Sequence, residues 1–97
     1  MLLHTLSRAP SHPAFADCLR LLAPEDALLL MSDGVYAALA GSEAASALAA
    51  SGVAVYVLAA DAQAAGVHKR LASGASLVDY AGFVELSERY PRQQAWY

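Results

Sequence analysis

Leu28-Leu29-Leu30-Met31-Ser32-Asp33-Gly34-Val35-Tyr36-Ala37-Ala38-Leu39 sets a continuous apolar run against a Ser-Asp-Gly turn and then a helix-forming run. An unbroken apolar run of this length reads as a strand buried on both faces, which is the habit of parallel sheets. A tight turn followed at once by helix formers adds the start of a crossover connection. The turn falls at the carboxyl end of its strand, where open α/β sheets place their binding sites.

The same alternation extends in both directions. Upstream, Leu2 to Leu6 reads as a first strand. Pro13 then stands where a helix tolerates proline, after His12. Phe15, Cys18, Leu19 and Leu22 fall at i, i+3, i+4 and i+7 and form one apolar helix face, ended by Pro24-Glu25-Asp26. Ala27 to Ser32 is the second strand, and the helical segment from Gly34 restarts at Ser42, an N-cap, and stops at Gly52.

Val53 to Ala60 is the third strand, with Asp61 opening a short helix. His68-Lys69-Arg70 reads as a solvated basic turn. Ser76 to Tyr80 is the fourth strand, and Phe83, Leu86 and Tyr90 line one face of the helix that follows, with Glu85 and Arg89 spaced to pair on the other. Pro91 ends that helix and leaves a tail, Arg92 to Tyr97. The expected fold is a single α/β domain over residues 1–97, three-layered α/β/α, with a mostly parallel sheet of about four strands.

Composition narrows the function. Of the 97 residues, 58% are apolar and 15% charged, against averages of about 45–50% and 25%. That is more apolar surface than so small a domain buries, so part of it is expected at an interface in an oligomer. The net charge of −3 argues against direct nucleic-acid binding, which needs a basic face. No apolar run reaches the roughly 18 residues of a membrane span. A single Cys and no secretory leader pattern point to a reducing compartment, the cytoplasm.

Reactive chemistry is sparse. Asp33, Asp61 and Asp79 each fall at a strand end, and on a parallel sheet those ends share one edge, so the three could gather a divalent cation. Capping is the simpler reading for Asp33 and Asp61, each of which precedes a helix. Neither Gly-x-Gly-x-x-Gly nor a Walker A sequence occurs. His4, His12 and His68 have no metal-ligand spacing, and His4 inside a strand reads as a satisfied structural group.

Cys18 is the only candidate covalent nucleophile. It sits between Phe15, Leu19 and Leu22 and follows Asp17, and burial and a carboxylate both oppose thiolate. It reads as a small core residue. The aromatic residues Tyr36, Tyr80, Trp96 and Tyr97 lie at strand ends or the terminus and are candidate interface anchors. Trp96 could equally fold back onto its own sheet.

The series of motifs resembles the TusB/DsrH family of small sulfur-relay subunits from end to end. It comprises Leu3-His4-Thr5-Leu6-Ser7-Arg8-Ala9-Pro10, Asp26-Ala27-Leu28-Leu29-Leu30, and Asp33-Gly34-Val35-Tyr36-Ala37-Ala38-Leu39. Val55-Tyr56-Val57-Leu58 with Asp61 and Ala65-Gly66, Val78-Asp79-Tyr80 with Phe83-Val84, and Gln94-Ala95-Trp96 complete it. The resemblance implies a DsrEFH-like α/β subunit that assembles with TusC- and TusD-like subunits into a dimer of heterotrimers. That complex passes persulfide sulfur between carrier proteins, toward tRNA wobble 2-thiouridine in one branch and in oxidative sulfur metabolism in the other. The resemblance implies no cofactor and places the working thiol on the TusD-like subunit. A persulfide on Cys18 is the enzymatic alternative.

Overall fold

A computed structural model describes Met1–Tyr97. Five strands form one sheet: β1 (Leu3–Leu6), β2 (Ala27–Leu30), β3 (Ala54–Leu58), β4 (Ala75–Val78) and β5 (Gln93–Trp96). All neighbours are parallel, in the order β4-β3-β2-β1-β5. The connections are α1 (Pro13–Leu21), a 3₁₀ helix (Ser32–Ala38), α2 (Glu43–Ser51), α3 (Ala59–Ala64) and α4 (Tyr80–Arg89).

The fifth strand corrects the expected count of about four. It comes from the tail after Pro91 and pairs with β1 in the register Leu3↔Gln93 to Leu6↔Trp96. Gln93, Gln94 and Ala95 are all exposed. An edge strand with one neighbour and polar outer residues carries no apolar run, so periodicity does not announce it.

Strand order decides how the layers fill. Three successive steps from β1 to β4 run in one direction across the sheet. Right-handed crossovers therefore place their connections on one face, and the return to β5 places α4 on the other. The buried side chains divide accordingly. Leu6, Leu28, Leu30, Val55 and Val57 pack with Phe15 and Cys18 of α1, Val35 of the 3₁₀ helix, Leu48 of α2 and Ala62 of α3. Leu3, Ala27 and Leu29 on the opposite face meet Leu86 of α4 and Tyr90 just past its end, with Phe83, Met31, Tyr56 and Val78 at the margin.

One helix cannot cover five strands. Ala54, Ser76 and Ala95 stay exposed on that thin side, and Leu77, Tyr80 and Val84 are exposed at the β4–α4 corner. Parallel sheets are normally covered on both faces, so this is an unusually open one.

Local chemistry fixes the helix ends. The His12 ring accepts the Ala14 N–H at 3.1 Å, with Pro13 in the first turn of α1. Ser42 Oγ accepts the Ala45 N–H at 3.1 Å, and Gly52 closes α2 in the left-handed conformation at φ 75°. That angle favours glycine because a β-carbon would be crowded there. No ion pair joins Glu85 to Arg89; the paired surface charges are Asp17 and Arg20, one turn apart on α1 at 2.6 Å. No helix is long and apolar enough to cross a membrane.

Candidate functional site at the strand-end edge

The carboxyl edge of the sheet carries the Ser32-Asp33-Gly34 turn. It leaves β2 directly as a 3₁₀ helix rather than an α-helix. Ser32 takes φ 51°, the left-handed region that an L-residue adopts only at a cost. Asp61 of α3 holds it there: its Oδ2 accepts the Ser32 N–H at 2.7 Å.

Gly34 is required by space, not by its φ angle. A β-carbon on it would collide with the Leu6 carbonyl oxygen and lie 3.0 Å from the carbonyl carbon. The turn is thus clamped between the end of β1 and the start of α3.

The carboxylates do not behave as simple caps of the helices they precede. Asp33 lies inside the first 3₁₀ turn, and the N-cap position, Met31, makes no side-chain hydrogen bond. Asp61 lies inside α3, which begins two residues earlier straight out of β3, and it serves the neighbouring turn instead. Asp79 is the one that caps its own helix: its Oδ1 accepts the Gly82 N–H at 2.8 Å.

Asp33 and Asp61 share a hollow of about 270 Å³ with Ser32, Tyr36, Ala64 and Ala65. Asp79 is not part of it, and no three acidic, His or Cys side chains converge anywhere. Three-carboxylate cation binding has no geometric basis here.

Tyr36, Tyr80 and Tyr97 all expose much of their surface, at 40%, 63% and 80%. Trp96 is half-buried, and its Nε1 donates to His4 Nδ1 at 3.0 Å. Cys18 is 1% exposed beneath α1. Burial pushes its thiol up to about 12, so almost no thiolate exists near neutral pH.

Sequence reasoning missed the most connected polar group in the chain. Asp26, read only as a helix terminator, is 5% exposed. Its Oδ2 takes hydrogen bonds from His4 Nε2 at 2.9 Å and the Ala23 N–H at 3.1 Å, and its Oδ1 takes the Leu2 N–H at 2.9 Å. Burial raises this carboxyl, but the hydrogen bonds from His4, Ala23 and Leu2 outweigh it and hold the group below its ordinary value. The one signal available was a His inside an apolar strand, which has to find a partner somewhere.

Comparison with known proteins fixes the relationship. The family model described as "DsrH like protein" matches residues 8–93. Protein TusB of Pectobacterium parmentieri is 43% identical over 95 residues, covering 98% of this chain and all of that one. The chain belongs to the TusB/DsrH family. Protein TusB of Escherichia coli K12 is 41% identical with the same coverage.

Among solved structures, the ychN protein of E. coli superposes with a TM-score of 0.79 over 98% of this chain and 97% of its own, at 17% identity. Protein Tm0979 of Thermotoga maritima follows at 0.69, covering 92% and 93%, at 26% identity. The fold shared with ychN is the DsrEFH-like one expected of a TusB/DsrH member.

Proposed function

We propose that this chain is a non-catalytic subunit of a cytoplasmic sulfurtransferase complex that supports 2-thiouridine formation at the tRNA wobble position. The observation that carries the reading is the state of Cys18. A sulfur carrier needs an accessible, low-pKa thiol, and the only thiol of this chain is enclosed by the α1 core with its pKa raised to about 12. A family that works by persulfide transfer, and a member whose thiol is closed off, together make a subunit that shapes the assembly.

Its partners in this reading are TusC- and TusD-like subunits in a dimer of heterotrimers. The contacts run through Tyr36, Tyr80, Tyr97 and the outer part of Trp96, with Asp33, Gly34, Asp61 and Asp79 setting the strand-end turns behind them. The open sheet face and the exposed Leu77 and Val84 add apolar area of the kind a permanent interface covers.

The test is sulfur transfer by the purified complex with Cys18→Ala in this subunit. Undiminished transfer, with no persulfide mass on the wild-type chain, supports the reading. A persulfide on Cys18, and loss of transfer in the variant, makes this chain a carrier instead.

A further inference from the structure

The His4 ring lies between two groups with opposite demands. Nε2 faces the Asp26 carboxylate at 2.9 Å, and Nδ1 faces the Trp96 indole N–H at 3.0 Å. An indole nitrogen can only donate. Nδ1 must therefore be bare, and the single proton of the ring sits on Nε2, pointing at Asp26. The two rings are nearly coplanar at 17°, with centroids 6.3 Å apart. That is the geometry of an edge-to-edge N–H···N bond, not of face-to-face stacking.

We propose that His4 is a proton-operated latch on the C-terminal strand: a second proton at Nδ1 displaces the Trp96 indole and frees β5 from the edge of β1. With Nδ1 protonated, two N–H donors face each other and no hydrogen bond joins them. Asp26 keeps its own hydrogen bond from Nε2, so the conflict falls on Trp96 alone.

The surroundings make β5 the element that yields. It pairs with β1 only, and three of its four residues are exposed. Trp96 is its sole side chain packed against the core. At the strand's end, Ser7 N–H reaches the Trp96 carbonyl at 3.3 Å and Ser7 Oγ reaches it at 3.4 Å, both long.

No other charge intervenes around His4. The β2 partner in register is Leu28, and α1 turns Ala14, Phe15 and Cys18 inward. Asp17 and Arg20 pair with each other on the solvent side of α1. β5 carries no ionisable side chain, and the neighbouring Arg92 is exposed. Asp26 titrates below 3.8, outside the range in which histidines change charge, about pH 5 to 8. This inference does not depend on the proposed function.

Trp96 is the only tryptophan, so its fluorescence reports the latch directly. Emission and far-UV circular dichroism are followed together on the full chain from about pH 8 to pH 5. The expected result is a red shift of the emission while the backbone signal holds. In His4→Asn, whose Oδ1 stands where Nδ1 does and can accept the indole N–H but cannot titrate, the red shift is lost over the same range. Nitrogen NMR of the wild-type imidazole at pH 8, which needs no variant to fold, shows Nε2 protonated and Nδ1 bare. Emission that moves only when the fold is lost, an unchanged shift in His4→Asn, or a proton on Nδ1 at pH 8 overturns the proposal.

Discussion

Gly34 packs its α-carbon against the Leu6 carbonyl so closely that no side chain fits between them. The contact joins the turn after β2 to the end of β1, and it is why the edge of the sheet has one shape. Gly34→Ala forces a backbone atom to move. Overpacking of this kind costs about 1–3 kcal/mol, and thermal unfolding should show a melting temperature lower by several degrees. A variant as stable as the parent would mean that the turn has room to shift.

Asp61→Ala removes the acceptor that holds Ser32 at positive φ. The bond is solvent-exposed, so the expected loss of stability is about 0.5–1.5 kcal/mol. The Ser32 amide should lose hydrogen-exchange protection before its neighbours in β2. Equal protection in variant and parent would show that the turn stands without Asp61.

Asp26 makes the fold sensitive to acid. Its carboxyl is held below the ordinary value in the folded chain, so the unfolded chain takes up the proton more readily. Its contribution is complete above the unfolded value, near 3.8, and is lost as pH falls through the lower folded value. Asp26→Asn should lower stability at neutral pH and flatten the dependence on pH in this acid range, as read from urea unfolding at several pH values. A variant with the parent's pH dependence would mean that other carboxylates govern acid unfolding.

Cys18 should resist alkylation. The native chain at pH 7.5 is expected to react with iodoacetamide at least tenfold more slowly than the same chain in denaturant, because burial suppresses the thiolate. Cys18→Ala removes one small buried group and should leave a folded chain. Fast labelling of the native chain would remove the basis for a closed thiol.

How far the sequence could be read follows from where each element takes its stabilisation. β2 and β3 are legible because they are buried on both faces and are apolar throughout. β5 is not, because its single neighbour and polar outer face leave only Trp96 as a cue, and that residue is as compatible with an interface as with the sheet. Asp33 and Asp61 are legible as residues of the strand-end edge, but neither caps the helix it precedes in the sequence. α3 begins without an intervening turn, so Asp61 lies inside it and reaches across to Ser32. Asp26 and Trp96, the two partners of His4, lie 22 and 92 positions from it in the sequence. A hydrogen-bonded contact at that separation leaves no local pattern.

The proposed place of this chain in a larger complex rests on the open face beside α4 and on the closed Cys18. Native mass spectrometry of the tagged chain, gently purified from its own cells, tests that most directly. A complex with two further small α/β subunits, intact with Cys18→Ala in place, is the predicted result. A chain recovered alone or only with its own copies, carrying a persulfide mass on Cys18, would contradict it.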